Sequence, residues 1–298
     1  GLWSPWYVGN SMTDLDKKFG IERVIDTPVS EAACTGAAVG ASLVGMKPIV
    51  VHPRMDFTLY AMDAIVNQAA KWSHMLGGQS HPGVTIRSII NRGGEQGAQH
   101  SQALHAWFSH VPGLRVVMPS TVADARDLLI ASVLCKDPVM YIDDRWLYEQ
   151  EDELPPVMEL DLTTQKPVVS LIGSDVTIIA SGHSSLLARE AAEQLGDEKI
   201  SVEVVDVRVL NPFHTKEIIE SVKKTRNLLV VDSGWISGGF SAEIIAKVVE
   251  NLPVDCLKNS PARIALPDAP APTSRVLEKA YYTSTNDVVK AVKKILNN

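Results

Sequence analysis

A single carboxylate stands at the start of a segment of very small side chains. Glu31 follows Ser30 and opens the run EAACTGAAVGAS, residues 31–42. Capping explains part of this pattern, because Ser30 is a typical N-cap residue and an acid in the first turn of a helix interacts favourably with the helix dipole. Capping does not explain the small residues, which permit another backbone to approach closely. Glu31 also follows a predicted strand, at the edge where α/β folds bind ligands, so a capping role and a catalytic or binding role are both open.

A histidine at the head of an apolar pattern is the second candidate. His100 follows the glycine-rich segment NRGGEQG, residues 91–97. Apolar residues continue from it at helical spacing, namely Ala103, Leu104, Trp107 and Phe108. The pattern predicts a helix over residues 99–109. A histidine there can pack in the core, or it can donate a proton into a cavity, since its ordinary pKa is about 6.5. His105 and His110 lie off the pattern, which indicates positions at the surface or at a helix end.

The segment HPRMDF, residues 52–57, makes the end of another predicted strand unusually polar. His52, Arg54 and Asp56 supply the polar groups at this strand exit. Phe57 begins the predicted helix that follows. From the residues alone, Phe57 is most simply interpreted as part of the core.

Short β-rich runs alternate with helical patterns along the whole chain. The alternation predicts an α/β protein whose parallel sheets are covered by helices. The predicted strands are residues 22–26, 48–51, 84–90, 114–119 and 138–142, and then 175–180, 200–207, 227–232 and 262–266. The predicted helices are residues 31–45, 57–77, 99–109 and 121–135, and then 184–195, 214–224, 240–250 and 285–297.

An acidic segment with a proline pair, EQEDELPPVMELDLTTQKP, lacks periodicity and separates two halves at residues 149–167. We therefore predict a first domain over residues 1–155, a linker over residues 156–168 and a second domain over residues 169–298. The chain starts with GLWSPWYVGNS and has no initiator Met, so we expect an element upstream of Gly1 to be missing.

Composition narrows the classes of function. The formal net charge of -7 disfavours nucleic-acid binding driven by phosphate neutralisation. Three cysteines in 298 residues form no disulfide framework, which favours a reducing compartment. The weakly polar run over residues 32–51 is broken by Lys47 and Pro48, so it does not predict a membrane span. The motifs GxGxxG, GxxxxGKS/T, HExxH and GxSxG are absent from the sequence.

Several long motifs, in one order and register, resemble the beta subunit of the thiamine-diphosphate-dependent first component of 2-oxoacid dehydrogenase complexes. They are RVIDTPVSEAACTGAAVGAS, DAIVNQAAKWSHMLGG, AQHSQALHAWFSHVPGLRVVMPSTVADARDLL and DPVMY, and later VVDVRVLNPF, VVDSGWISGGFSAEI and LPDAPAPTSRVLEK. The resemblance covers nearly the whole chain. It implies a pyrimidine-binding, transketolase-like domain followed by a smaller transketolase C-terminal domain, both α/β. The family's amino-terminal helix and first strand would lie before Gly1.

The resemblance implies roles for three of the candidate residues. Glu31 matches the glutamate that contacts the aminopyrimidine ring of thiamine diphosphate. A carboxylate on a nitrogen of that ring favours the imino tautomer, which can take up the thiazolium proton. Phe57 matches the aromatic residue that packs against the pyrimidine. His100 matches the histidine that serves substrate or acyl transfer.

The resemblance also implies two metal ions. In the family, backbone carbonyls hold potassium at the positions that match Val84, Ser132, Val133, Cys135 and Asp137. Enzymes of this kind bind the diphosphate through Mg²⁺ held by a GDG…N motif, and no GDG occurs in this sequence. The magnesium half of the site is therefore expected from an alpha subunit in an α₂β₂ heterotetramer. The small-residue helix that begins at Glu31 is then expected to be an interface.

The implied reaction is decarboxylation of a 2-oxoacid and transfer of the acyl group to the lipoyl arm of an acyltransferase component. Family members often carry apolar or acidic residues where this chain has VHPRMDF. His52 and Arg54 are therefore predicted to favour a polar or anionic substrate. Pyruvate, a branched-chain 2-oxoacid and other 2-oxoacids stay open.

Two other functions are compatible with the same sequence. One is the C-terminal half of a split transketolase-like enzyme, which transfers a ketol or aldehyde unit to a sugar. The other is a non-catalytic scaffold subunit, although a scaffold need retain neither Glu31 nor His100. We expect the protein in the cytoplasm, or in the mitochondrial matrix of a eukaryote, with neither nucleic acid nor membrane as a partner.

Overall fold

A computed structural model describes residues 10–297. The strands are β1 (Ile49–His52), β2 (Thr85–Ile90), β3 (Arg115–Val117), β4 (Val139–Asp144), β5 (Val168–Leu171), β6 (Val176–Ala180), β7 (Val202–Asp206), β8 (Val209–Asn211), β9 (Leu228–Trp235) and β10 (Ala262–Leu266). The α-helices are α1 (Leu15–Phe19), α2 (Glu31–Leu43), α3 (Ala70–Met75), α4 (His105–Ser109), α5 (Val122–Leu134), α6 (His183–Asp197), α7 (Lys216–Thr225), α8 (Phe240–Glu250), α9 (Arg275–Tyr281) and α10 (Thr285–Leu296). A 3₁₀ helix (Met55–Ala61) and a π-helical stretch (Asp63–Ala69) lead into α3, and a short 3₁₀ turn covers Arg145–Leu147.

Two five-stranded sheets organise the described residues, and the α/β prediction is confirmed. The first sheet has the order β1-β2-β4-β3-β8, in which only β8 is antiparallel to its neighbour. The second has the order β10-β9-β6-β7-β5, in which only β5 is antiparallel. Parallel strands require crossover helices on the faces of the sheet, and the alternating sequence supplies them.

The central strands of the first sheet are buried along their whole length. Every residue of β2 and β4 is buried, as expected for strands that helices cover on both faces. The largest apolar cluster continues from the first half, with Phe108, into the second half, with Phe240. The two halves therefore share one core.

The strand predicted over residues 22–26 is wrong. The N–H groups of Arg23 and Val24 donate to the carbonyl of Gly20 in a turn after α1. Ile25 is 65% exposed and does not face the core. The β-branched residues suggested a strand, but these backbone groups are used within a turn.

The helix predicted over residues 99–109 forms only in its last part, as α4 at His105–Ser109. Two backbone donors before it are satisfied from the segment after β1. The N–H of Gln102 donates to Asp56 Oδ1 at 3.2 Å, and the N–H of Leu104 contacts Met55 Sδ at 3.3 Å. These tertiary contacts replace the helical i→i−4 bonds, so His100 lies in a loop.

Several short elements were not predicted, namely α1, α9, β5 and β8. The strand β8 lies in the second half of the sequence, yet it pairs with β3 of the first sheet. The first sheet therefore draws a strand from beyond residue 168, and the domain boundaries stated above stay predictions. The start of the chain, on which the expectation of a missing upstream element rests, lies in residues 1–9, outside the described residues. Among residues 10–297, no helix combines the length and apolarity needed to cross a bilayer.

Candidate active site

An open cleft of about 740 Å³ lies where the start of α2 meets the 3₁₀ helix after β1. Glu31 and Phe57 both line it, together with Tyr60. The remaining lining residues are Val29, Ser30, Ala32 and Ala33. A carboxylate and two aromatic rings thus share one cleft, although Glu31 and Phe57 are distant in sequence.

Phe57 connects this cleft to His100. The two rings meet edge to face, with centroids 5.2 Å apart and planes at 88°. On its other side Phe57 stacks with Tyr60 at 6.4 Å and 20°. The structure therefore brings together three residues predicted separately, Glu31, Phe57 and His100. Tyr60 was missed, although its position three residues after Phe57 places the two rings on neighbouring turns of one helix.

The start of α2 is held by backbone contacts. Ser30 occupies the N-cap position, but its side chain makes no capping hydrogen bond. Its carbonyl accepts the N–H of Cys34 at 2.9 Å. Glu31 is partly buried at the first helical position. The Ser30 side chain therefore does not cap the helix, whereas the Glu31 carboxylate still interacts favourably with the helix dipole.

The loop that carries His100 is fixed by a buried acid. Asp56 is 5% exposed, and its Oδ1 accepts both the N–H of Gln102 and the Gln102 side-chain amide, at 3.2 and 2.8 Å. Ser101 donates from its hydroxyl to the carbonyl of Gly97 at 2.9 Å. Asp56 and Phe57 are adjacent, so one short segment positions both the aromatic ring in the cleft and the loop of His100. Sequence reasoning noted Asp56 only as a polar residue at a strand exit.

The glycine-rich loop before His100 is tied to the second half of the chain. Glu278 of α9 is 6% exposed, and both of its carboxylate oxygens lie 3.0 Å from the N–H of Glu95. Glu95 has a φ of 62°, which is uncommon for a residue other than glycine. This anchor was missed, because α9 itself was not predicted.

Arg54 and His52, the predicted substrate residues, have different environments. Arg54 is partly buried and donates to the carbonyl of Pro53 at 3.0 Å and to Gln96 Oε1 at 3.3 Å. His52 is 2% exposed and its Nε2 lies 3.1 Å from Thr35 Oγ1. Burial lowers the pKa of His52 to about 4. His52 has little surface left for direct contact with a substrate, whereas Arg54 joins the strand exit to the glycine-rich loop.

His105 begins α4, which agrees with the helix-end alternative predicted for it, but it does not lie at the surface. Its side chain is fully buried, and its Nε2 lies 2.8 Å from Asp232 Oδ1. Burial raises the pKa of Asp232, but attraction to His105 and hydrogen bonds from His105, Gly234 and Ser241 outweigh it and lower the pKa to about 2. The pair joins α4 of the first half to β9 of the second. No periodicity in the sequence could reveal it, since its partner lies 127 residues away.

The cleft fits the pyrimidine end of thiamine diphosphate. A flat, nitrogen-containing ring suits a site with one carboxylate and stacked aromatic side chains. Within residues 10–297, no three His, Cys, Asp or Glu side chains lie close enough together to hold a metal ion.

The predicted potassium ligands fit less well. The carbonyl of Cys135 accepts a hydrogen bond from Lys47 Nζ at 3.0 Å. The carbonyl of Val84 accepts the N–H of Val139 at 2.9 Å. Ser132 and Val133 lie in the last turn of α5, and Asp137 follows it. A lysine ammonium thus already contacts one of the five predicted ligands, so K⁺ does not fit this site as it stands.

Two family models match the chain. The transketolase pyrimidine binding domain matches residues 8–150, and the transketolase C-terminal domain matches residues 166–288. The chain also resembles the solved structure of a split-gene transketolase in an inactive beta4 tetramer, with a TM-score of 0.74. That match covers 95% of this chain and 89% of the other, but the identity is 23%, so it shows the fold alone.

Nearly the whole chain is similar to beta subunits of the pyruvate dehydrogenase E1 component. The chain is 38% identical to that of Rickettsia felis over 279 residues, 94% of this chain and 85% of the relative. It is 37% identical to the mitochondrial protein of Saccharomyces cerevisiae, over 94% of this chain and 77% of the relative. With the Rhizobium meliloti protein the identity is also 37%, but the chain spans only 60% of that relative's length. Taken with the two transketolase-type domains and the cleft that Glu31 and Phe57 line, these similarities show that the chain belongs to the family of pyruvate dehydrogenase E1 beta subunits.

Proposed function

We propose that this chain is the beta subunit of a thiamine-diphosphate-dependent 2-oxoacid dehydrogenase. With an alpha subunit it decarboxylates a 2-oxoacid and transfers the acyl group to a lipoyl arm of an acyltransferase component. The observation that carries the proposal is the cleft that Glu31 and Phe57 share, with His100 against the ring of Phe57. The names of the relatives favour pyruvate as the 2-oxoacid.

The residues in and beside the cleft have distinct tasks in this proposal. When bound, thiamine diphosphate supplies a thiazolium carbon that becomes a nucleophile on loss of a proton. Glu31 binds a ring nitrogen of the pyrimidine and holds the proton at that atom. Phe57 packs against the face of the ring and keeps water away from it. His100 moves a proton at the substrate or at the acyl acceptor, and Arg54 orients the carboxylate of the oxoacid.

The partner subunit supplies the Mg²⁺ that binds the diphosphate. The exposed face of α2 supports an interface with it, because Ala32, Ala33, Gly36, Ala37 and Gly40 are all exposed. A Cβ added at Gly36 or Gly40 would meet no atom within 4 Å, so this face is open to another backbone. We propose the α₂β₂ assembly on this basis. The three cysteines form no disulfide in the structure, which supports a reducing compartment, the cytoplasm or the mitochondrial matrix.

Reconstitution with the alpha subunit tests the proposal. The two chains are co-purified and supplied with thiamine diphosphate and Mg²⁺. Pyruvate, branched-chain 2-oxoacids and polar 2-oxoacids are then compared with an artificial electron acceptor. We expect reduction of the acceptor that depends on a 2-oxoacid and on both chains. If the assembled pair reduces the acceptor with none of these acids, the proposal is wrong.

The same preparation separates the alternatives. A ketose donor and an aldose acceptor form a parallel arm of the assay, which a split transketolase-like enzyme would turn over. A scaffold would assemble and be inactive in both arms. No feature of the described site favours either alternative, since the likeness to the split transketolase shows the fold alone.

A further inference from the structure

The C-terminal end of α5 presents backbone carbonyls without intrahelical partners. The last four carbonyls of any α-helix lack such partners and carry the negative end of the helix dipole. The last turn of α5, all of whose residues the structure describes, contains no basic side chain. This end of the helix therefore favours a cation that comes from elsewhere.

Lys47 supplies a cation from a different part of the fold. It lies between α2 and β1, and its Nζ donates to the carbonyl of Cys135 at 3.0 Å, 88 residues along the chain. Cys135 is the C-cap residue of α5. An ammonium group has three donors and no acceptor, which suits a group of carbonyl oxygens.

Gly83 leaves the space that this contact needs. A Cβ placed on Gly83 would lie 2.8 Å from Lys47 Nζ and 2.9 Å from the carbonyl oxygen of Cys135. It would also lie 3.4 Å from the carbonyl oxygen of Lys136. The absent side chain thus lets the tip of Lys47 reach the carbonyl of Cys135.

The acidic group closest in sequence to this site is already paired. The Asp137 carboxylate accepts two hydrogen bonds from Arg115, at 2.6 and 2.9 Å, and lies 3.6 Å from His81 Nδ1. The negative charge of Asp137 is therefore compensated without a further cation. A K⁺ ion bound to the carbonyl of Cys135 would lie within a few ångströms of the Lys47 ammonium, and like charges repel at that distance.

We propose that the Lys47 ammonium is a built-in replacement for a monovalent cation at the C-terminal end of α5. The chain holds this site together with its own side chain, and its folding does not depend on K⁺. The inference concerns stability and stands independently of the proposed activity.

The test measures unfolding temperature in equal concentrations of potassium chloride and tetramethylammonium chloride. Lys47→Met removes the charge and keeps most of the aliphatic stem. The matched control is Lys71→Met, because Lys71 Nζ also donates to a backbone carbonyl, that of Pro112 at 2.6 Å, away from the predicted potassium ligands. The wild type should unfold at the same temperature in both salts. Lys47→Met should unfold about 2 °C or more below the wild type in tetramethylammonium, and K⁺ should restore part of the loss.

The control should lose similar stability in both salts. A saturable rise in the unfolding temperature of the wild type with K⁺ would overturn the proposal, since the site would then take the ion despite Lys47. A Lys47→Met variant that is as stable as the wild type, or that does not respond to K⁺, would overturn it as well.

Discussion

Glu31 combines a helix-terminal position with a position in the cleft, and substitution separates the two. Glu31→Gln keeps the size of the side chain and removes its charge. If Glu31 interacted only with the helix dipole, the substitution would lower stability by about 0.3–1 kcal/mol and would not affect the reaction. We expect assembly to survive and deuterium exchange at the thiazolium carbon of the reconstituted enzyme to slow by ~100-fold or more.

The matched control for this substitution is Glu243→Gln, in the first turn of α8. It removes a first-turn acid far along the chain from the cleft residues. Its thiazolium exchange should equal that of the wild type. If thiazolium exchange in Glu31→Gln is as fast as in the wild type, the only role of Glu31 is to stabilise the helix.

His52 makes folding sensitive to acid. Its pKa is about 4 in the folded chain because burial disfavours the charged ring, against about 6.5 when unfolded. Between these values the unfolded chain binds a proton that the folded chain does not, so stability falls as the pH falls from about 6.5 to about 4. The loss attributable to His52 reaches about 3 kcal/mol at the lower end.

Urea unfolding between pH 4 and 7.5 measures this dependence. His52→Gln should flatten the curve over that range, and His74→Gln, at an exposed histidine, should not. Equal slopes for wild type and His52→Gln would contradict the assignment.

At the scale of elements, α9 anchors the glycine-rich loop that precedes His100. The N–H of Glu95 donates to both carboxylate oxygens of Glu278. A hydrogen bond to a charged group contributes about 1.5–3 kcal/mol to stability. Glu278→Ala should therefore raise amide hydrogen exchange over residues 94–97 by roughly 10-fold or more. Arg275→Ala is the control, since Arg275 makes an exposed ion pair with the side chain of the same Glu95, at 3.3 Å. An equal rise in both variants would mean that α9 as a whole, and not Glu278, holds the loop.

Strands and helices with strong patterns could be predicted from the sequence. The buried runs at β2 and β4, and the periodic helices α7 and α10, have signals that lie within the element itself. The strand β8 has three residues, too few to show any period. The helix predicted over residues 99–109 had the right spacing of apolar residues, but two of its backbone N–H groups donate to Asp56 and Met55 instead of to helical carbonyls. Local patterns contain no information about such distant partners.

In the candidate site, too, residues with a strong local signal could be predicted and residues that depend on distant partners could not. Glu31 and His100 were found because their types are chemically unusual in their local patterns, whereas Phe57 was assigned to the site only through the family resemblance. The structure places Glu31 and Phe57 in one cleft and the ring of His100 against Phe57. Asp56, Tyr60 and Glu278 position or extend the site, but each looks ordinary in sequence. Their contributions depend on which surfaces meet after folding.

At the scale of the whole molecule, the His105–Asp232 pair joins the two halves through the core. His105→Ala takes away one of the hydrogen-bond partners of the buried Asp232 carboxylate, which then keeps only the N–H groups of Gly234 and Ser241. Leaving a buried charged group short of a partner costs about 3 kcal/mol. His105→Ala should lower the free energy of unfolding at pH 7 by roughly 3 kcal/mol, as measured by urea denaturation. His110→Ala, at an exposed histidine, should be close to neutral.

A double variant checks the cause. Asp232→Asn removes the charge and keeps one oxygen that accepts the N–H of Gly234 or of Ser241. Because no buried charge is then left short of a partner, His105→Ala with Asp232→Asn should be more stable than His105→Ala alone. If the double variant is the less stable of the two, lost packing rather than an uncompensated charge explains the effect.

The isolated chain should bind thiamine diphosphate weakly or not at all. The sequence contains no GDG motif, and residues 10–297 contain no group of three acidic, His or Cys side chains placed to hold a metal ion. Titration calorimetry with Mg²⁺ present measures the affinity, first with this chain and then with the co-purified pair. Sub-micromolar binding by the isolated chain would show that its magnesium site is complete.

The strand β8 affects how the protein is made. Ribosomes synthesise the chain from its N-terminus. The strands β1 to β4 therefore emerge before β8, which ends at Asn211. Until then, the outer edge of β3 has backbone donors and acceptors with no strand beside them, and such edges pair readily with other chains. The nascent protein therefore passes through an interval of synthesis in which its first sheet is open at one side. A chaperone that shields this edge during that interval would protect the chain from association with its neighbours on the same messenger RNA.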